Sequence, residues 1–303
     1  MIKVQIPATS ANIGSGFDSL GLAVTMYNDI EMEESDRVEI CATDAIPIPT
    51  DETNLVYQSA RYLYDLCGKP LKGMKIRQTN RIPMARGLGS SSACIVGGIV
   101  GANHLLGSPL CQRELVNIAA TLEGHPDNAT PALLGGLVTA VLEKGKVYYV
   151  KQAIAQDLSF VAIVPNFELK TSFARQALPR DVSHQDAVFN LSRAALMSVS
   201  LYSGNYHNLK VACDDRLHQP YRLSLIHGAH EVFDLAYQYG AYAAYISGAG
   251  STLMAIVNRE KRDFVSQMRA GCDALGLCQW QIHELSVTNV GARVLEEEGE
   301  HFQ

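Results

Sequence analysis

Pro83-Met-Ala-Arg-Gly-Leu-Gly-Ser-Ser-Ser-Ala93 is the stretch whose reading decides the fold. Before it, Met74 and Ile76 alternate with Lys75 and Arg77, the pattern of a half-buried strand over Met74–Thr79. After it, Ser92 to Leu106 is small and aliphatic, and long enough for a helix. The segment is therefore a glycine- and serine-rich loop between a strand and a helix start. Gly87 and Gly89 let backbone approach a ligand closely, and three successive serines add hydroxyls. The helix N-terminus adds unpaired N–H groups and a partial positive charge. Together these make an anion site, suited to phosphate. The same residues also suit a tight turn followed by a serine-capped helix. No Lys follows Gly89, so the loop is not a Walker A sequence. The third glycine of the dinucleotide fingerprint is missing too.

The chain has 303 residues, 47% hydrophobic, and a net charge of −6. That composition suits a globular protein of two domains. Without a long basic run, nucleic acid is not expected as the main partner. Met1 to Ala8 carries one Lys and no apolar core of signal-peptide length. No stretch reaches about 18 uninterrupted apolar residues, so no membrane span is expected. The cysteines at 41, 67, 94, 111, 213, 272 and 278 are odd in number and have no CxxC spacing. Reduced thiols in a cytoplasmic protein account for them. His227 and His230 have metal-pair spacing on a helix, but no third ligand is nearby.

Strand patterns come early, at Ile2 to Ile6, Ile30 and Met32, and Val38 and Ile40. A helical pattern follows from Leu55 to Leu66, then the Met74–Thr79 strand, the loop and its helix. A further helix is expected over Gln112–Glu123, with strands at Leu137–Leu142 and Val147–Val150. The second half restarts with a strand at Phe160–Val164. Helices are expected over Ala187–Leu201, Leu223–Tyr239 and Lys261–Leu275, and strands at Ala243–Ile246, Thr252–Val257 and Trp280–Leu285. This order predicts an α+β protein. The restart puts a boundary near residues 151–157, giving domains over residues 1–154 and 155–303. Glu296–Glu300 reads as a solvated acidic tail.

Two more segments carry chemistry. In Pro7-Ala-Thr-Ser-Ala-Asn-Ile-Gly-Ser-Gly-Phe-Asp18, the glycines imply a bent backbone after a strand, which points Asn12 and Asp18 into one cleft or makes an ordinary turn. In Glu123-Gly-His-Pro-Asp-Asn128, a carboxylate at a helix end and a Pro-Asp-Asn turn supply a Mg²⁺ ligand and a polar wall, or merely a helix cap and turn.

Taken together, the segments resemble the GHMP kinase superfamily. Pro83 to Ser91 is similar to its phosphate-loop motif, Pro7 to Asp18 to its first motif, and Ser247-Gly-Ala-Gly250 with Thr252-Leu-Met-Ala255 to its third. Within it, Ala8-Thr-Ser-Ala-Asn12, Asp127-Asn128, Lys170-Thr-Ser-Phe-Ala-Arg175 and Gln219-Pro-Tyr-Arg222 resemble members that phosphorylate L-homoserine. The resemblance implies a two-domain fold. Its N-terminal domain is like the second domain of ribosomal protein S5, with a left-handed βαβ crossover, and its C-terminal domain is ferredoxin-like. A right-handed crossover is the general expectation.

The implied reaction moves the ATP γ-phosphoryl group to the homoserine side-chain hydroxyl, with Mg²⁺. The resemblance gives the ATP site as Pro83, Met84, Ala85, Arg86, Gly87, Leu88, Gly89, Ser90, Ser91, Ser92 and Ala93, with Asn54 near the adenine. Ser91 and Glu123 bind Mg²⁺. Arg175 and Arg222 take the homoserine carboxylate, since a guanidinium fork fits it at two points. Asp18, helped by Asn12, takes the ammonium; Asp127 and Thr171 line the pocket, and Asn128 holds the reacting hydroxyl. An Asp stands at the Asn128 position in mevalonate kinase-like relatives, and a carboxamide cannot accept the proton. Asp127 and Asp18 therefore stay open as bases. A homodimer is implied. The rival readings are a GHMP kinase with a mevalonate or sugar acceptor, a catalytically silent nucleotide-binding regulator, and an RNA-binding module suggested by the S5-like fold, which the acidic balance disfavours.

Overall fold

The computed structural model describes residues 1–295; the Glu296–Glu300 run lies outside the described residues. The first half is built on a seven-stranded sheet. Its spine is the long antiparallel ladder of β1 (Ile2–Ala11) and β2 (Leu20–Ser35). Both strands outrun the patches expected at Ile2–Ile6 and Ile30–Met32. Residues 6–11 and 20–24 are buried on both faces, so they show no alternation to find. β3 (Glu39–Ala42) lies parallel to β4 (Gly73–Thr79), and α1 (Leu55–Leu66) fills the crossover between them.

Three helices follow, α2 (Ser90–Leu105), α3 (Gln112–Glu123) and α4 (Pro126–Leu134). α2 packs against α1 on one side and β1 on the other. A Cβ at Gly97 would collide with Ile30, and one at Gly98 with the Val56 carbonyl, so these two glycines set the close approach. β5 (Leu137–Glu143) and β6 (Lys146–Gln152) form a hairpin. Its two loop residues, Lys144 and Gly145, have φ of 49° and 75°, the backbone whose twist matches the paired strands.

The Pro-Asp-Asn turn expected after Glu123 is instead the first turn of α4. Pro126 stands at its first position, where a missing N–H is harmless. Pro131 inside α4 cannot donate to the Asp127 carbonyl. That carbonyl abuts Gly21 of β2, where a Cβ would overlap it. The helix is thus pressed onto the sheet, which fixes Asp127 and Asn128 in place.

The second half contains β7 (Leu158–Val164), α5 (Thr171–Gln176), α6 (His184–Ser203), α7 (Leu209–Ala212), α8 (Gln219–Leu223) and α9 (Ala229–Gln238). They are followed by β8 (Ala243–Ile246), β9 (Leu253–Asn258), α10 (Phe264–Ala274) and β10 (Gln281–Leu285). The strands form one antiparallel sheet in the order β10-β7-β9-β8, the ferredoxin-like βαββαβ arrangement. The helix expected over Leu223–Tyr239 is shorter: Leu223 ends α8, and α9 starts only after Gly228, which takes φ of 85°. β11 (Arg293–Leu295) then returns to pair with β1 in the first sheet. Phe160, Ala162 and Val164 of β7 face the core shared with the first half, whereas Val161 and Ile163 face a second core under α9 and α10. Burial on both faces explains why β7 is apolar from Phe160 to Val164. All seven cysteines are free. His227 and His230 are exposed, and among the described residues no cluster of three metal-ligating side chains exists.

Candidate active site

The loop after β4 ends at Gly89, which begins α2 with φ of 71° and no side-chain cap. The first intrahelical bond runs from Ala93 N to Gly89 O, 2.9 Å. The N–H groups of Ser90, Ser91 and Ser92 therefore lack helical acceptors and suit an anion. A Cβ at Gly87 would run into the Ser247 carbonyl, and one at Gly89 into the Thr9 hydroxyl, so the loop glycines also admit other protein segments. Ser247 Oγ donates to Gly87 O at 2.6 Å, Thr252 N to Arg86 O at 3.1 Å and Thr9 N to Leu88 O at 3.1 Å. Gly248 N reaches Ala11 O at 3.0 Å. These bonds tie together three segments more than 70 residues apart.

A cleft of about 270 Å³ opens beside this knot. It is lined by Ala85, Arg86, Gly87, Gly89, Ser90, Ser91 and Ser92 from the loop and α2, and by Glu123, His125, Asp127 and Asn128 around the α3–α4 junction. Asn12, Asp18, Thr171, Arg175 and Arg222 complete it, with Gly248 and Ala249. Five expected nucleotide contacts fall outside. Leu88 and Ala93 are fully buried and anchor the loop in the core. Pro83 and Met84 face neighbouring depressions. Asn54 also lies outside, in an apolar depression that shares Ala85, Ser90 and Ser91 with the cleft. Its amide is occupied, capping α1 through Val56 N and donating to Pro49 O and Gln78 Oε1.

Asp18 and Arg175 face each other as a two-point ion pair, at 2.8 and 3.1 Å. Each side chain remains more than a third exposed to the cleft. Arg175 reaches this place from α5, a helix the sequence pattern did not reveal. Asn12 brackets Asp18: its Oδ1 accepts from Asp18 N at 2.9 Å and its Nδ2 donates to Gly248 O at 2.6 Å. Arg222 is 1% exposed. Its Nη1 donates to Gly248 O at 3.1 Å, and burial with the nearby Arg175 charge pulls it down to about 10, still a cation at neutral pH.

Glu123 ends α3, and its Oε2 is buried without a hydrogen-bond partner, as is Ser92 Oγ. Burial pushes the Glu123 carboxyl up; His125 and the Ser92 hydroxyl oppose that, and the Asp127 charge adds to it. His125 was not singled out in the sequence, although it lies within Glu123 to Asn128. Its Nδ1 meets Asp127 Oδ1 at 2.6 Å. Burial alone would lower the imidazole, but the Asp127 bond and the charges of Asp127, Glu123 and Asp18 raise it above the ordinary value. Asn128 Oδ1 accepts from Thr9 Oγ1 at 2.7 Å, which leaves its Nδ2 as the group offered to the cleft.

The arrangement sets the N-terminus of α2 and a pair of opposite charges, Asp18 and Arg175, in one cleft. The model for the N-terminal domain of GHMP kinases matches residues 54–136, and that for the GHMP kinase C-terminal domain matches residues 197–273. Both halves of the GHMP kinase fold are thus present. A homoserine kinase from Clostridium beijerinckii is 44% identical over 299 residues, 98% of this chain and 99% of that one. One from Caldicellulosiruptor saccharolyticus is 43% identical over 97% of this chain and 96% of that one. The crystal structure of homoserine kinase from Cytophaga hutchinsonii superposes with a TM-score of 0.86 at 29% identity, covering 97% of each chain. L. major mevalonate kinase shares the fold alone, with a TM-score of 0.71 at 16% identity over 94% of this chain and 95% of that one. The chain belongs to the homoserine kinase family of the GHMP kinases.

Proposed function

We propose that this protein transfers the ATP γ-phosphoryl group to the side-chain hydroxyl of L-homoserine, giving O-phospho-L-homoserine for threonine biosynthesis. The observation that carries this reading is the Asp18–Arg175 pair beside buried Arg222, next to the α2 N-terminus. Asp18 would take the substrate ammonium and the two guanidinium groups its carboxylate. A mevalonate or sugar acceptor would leave Asp18 without a cation.

The phosphates would lie on the N–H groups of Ser90, Ser91 and Ser92, with the base in the apolar depression beside Asn54. Glu123 fits a role as Mg²⁺ ligand, because its Oε2 is a shielded carboxylate oxygen with no protein partner. Ser91 lines the same cleft and would be the hydroxyl ligand. The ion would supply charge neutralisation between the phosphates. Asn128 would donate Nδ2–H to the acceptor oxygen and hold it in line. Asp127 is engaged by His125 and Asp18 by Arg175, so catalysis by positioning accounts for the site without a dedicated base.

The same reading makes the enzyme a cytoplasmic homodimer. Leu191, Val199 and Tyr202 leave an exposed apolar stripe on α6, which supports pairing with a second copy. Among the described residues no helix is long and apolar enough to cross a membrane.

Coupled ADP release with L-homoserine, L-serine, L-threonine and mevalonate tests the assignment. Preference for L-homoserine by at least tenfold in kcat/KM is expected, and preference for mevalonate would overturn it. Asn128→Asp should retain homoserine binding and lose about tenfold in kcat. A faster variant would mean that a base was missing.

A further inference from the structure

Arg222 is the one cleft cation that is nearly fully buried, so something must aim it. Its guanidinium lies 5.3 Å from the Phe17 ring, and its Nη1 donates to Gly248 O and approaches His218 Nδ1 at 3.4 Å. His218 is itself 0% exposed and stacks on Phe17 at 5.2 Å and 20°. The other ring nitrogen, Nε2, is 2.7 Å from Gly14 O. A carbonyl only accepts, so Nε2 carries the proton. Nδ1 then holds a lone pair, pointed at the Arg222 N–H. A protonated ring would instead set donor against donor and cation against cation in a buried place. The backbone is fixed as well: Asp215 Oδ2 accepts from the N–H groups of His218 and Gln219 at 2.8 and 2.6 Å.

We propose that His218 is a positioning residue for the acceptor site: a neutral imidazole, locked as the Nε2–H tautomer by Gly14, that accepts from Arg222 and so turns the free side of the guanidinium toward the substrate carboxylate. It links the first motif, through Gly14 and Phe17, to the arginine that the third motif holds through Gly248. This rests on the reading of Arg222 as a carboxylate ligand. Nothing in the proposal requires His218 to touch substrate.

The two amide replacements separate the two nitrogens. His218→Asn places an oxygen near the Nδ1 position and can still accept from Arg222. His218→Gln places its amide near Nε2 and can still donate to Gly14, but it withdraws the acceptor from Arg222. His218→Gln should raise the homoserine KM about tenfold, the effect of one hydrogen bond to a charged group, with the ATP KM within about twofold. His218→Asn should stay within about threefold of the wild type for both substrates. On an Arg222→Met background, which has no N–H to donate, His218→Gln should change the homoserine KM by less than about twofold, because its partner is already gone. Equal effects of the two amides, or an undiminished effect on the Met background, would overturn the proposal.

A measurement on the unmutated protein guards against variants that fail to fold. ¹⁵N NMR of histidine-labelled enzyme at pH 7 should find one buried, neutral Nε2–H ring; a cationic or Nδ1–H ring at this position would end the proposal. Absent turnover of L-homoserine by the wild type would instead refute the acceptor assignment, and the tautomer result would still stand on its own.

Discussion

The proposed phosphate cradle and the proposed acceptor pocket lie in one cleft but are built differently. The cradle is backbone: the left-handed turn at Gly89 and the first N–H groups of α2, all within the span Gly87–Ser92. The pocket is side chain: Asp18, Asn128, Arg175 and Arg222 come from four separate regions of the chain and face inward only after folding. A backbone site tolerates side-chain change but not a change of path. A side-chain site tolerates neither loss of charge nor loss of fork geometry. This difference sets what each substitution should do.

The largest effect is expected where the two regions meet. Glu123→Gln should lower kcat by about 10³ or more, since it removes a shielded carboxylate oxygen with no protein partner next to the cradle. The same change should raise the Tm of the nucleotide-free protein by a few degrees. Burial raises the Glu123 carboxyl, so the folded state is disfavoured above the ordinary carboxylate range and recovers as pH falls. An amide removes that cost at neutral pH. A drop in both kcat and Tm would mean that Glu123 is structural.

Gly87→Ala should destabilise the fold by about 2–4 kcal/mol, measured by denaturant titration, because φ is 76° and the new methyl meets the Ser247 carbonyl. A stable Gly87→Ala protein with normal ATP KM would break the idea that the cradle depends on backbone path. In the pocket, Arg175→Lys should raise the homoserine KM by about 10-fold or more and leave the ATP KM unchanged, because Lys cannot make the planar two-point contact. Movement of the ATP KM alone would reverse the assignment of the two regions.

The smallest effect concerns His125. Its folded-state pKa is raised, so the stability from its pairing with Asp127 is full below the ordinary histidine value and fades as pH rises through the raised one. The stability gap between wild type and His125→Gln should therefore shrink from pH 6 to pH 9, as followed by denaturant titration at each pH. A gap that widens over this range would show that the neutral ring is the stabilising form.

The two regions also differed in how they could be read. The Gly-Leu-Gly-Ser-Ser-Ser run identified the cradle locally, and most strands and helices of both halves followed from periodicity. Asn12, Asp18, Asp127 and Asn128 stood out locally as cleft or turn residues, whereas Thr171, Arg175 and Arg222 were found only through resemblance. Even then the roles blurred: Leu88 and Ala93 lie in a binding motif but serve the core, while Asn12 and Asn54 spend their amides on the protein. His125 and His218 were missed although each adjoins a quoted residue. Nothing in a sequence window says which way an imidazole faces. The short helix bearing Arg175 was missed too, since six residues are too few to show a period.

By itself, the sequence determined the α+β class, the glycine-serine turn into a helix and the membership of a kinase superfamily, because those are written in motifs and patterns of residues close in the chain. Tertiary structure alone decided that Gly87 and Gly89 make room for Ser247 and Thr9, that Asp18 meets Arg175, and that β11 closes the first sheet. Those contacts join residues up to about 290 positions apart, and only packing around a shared core can specify such a meeting.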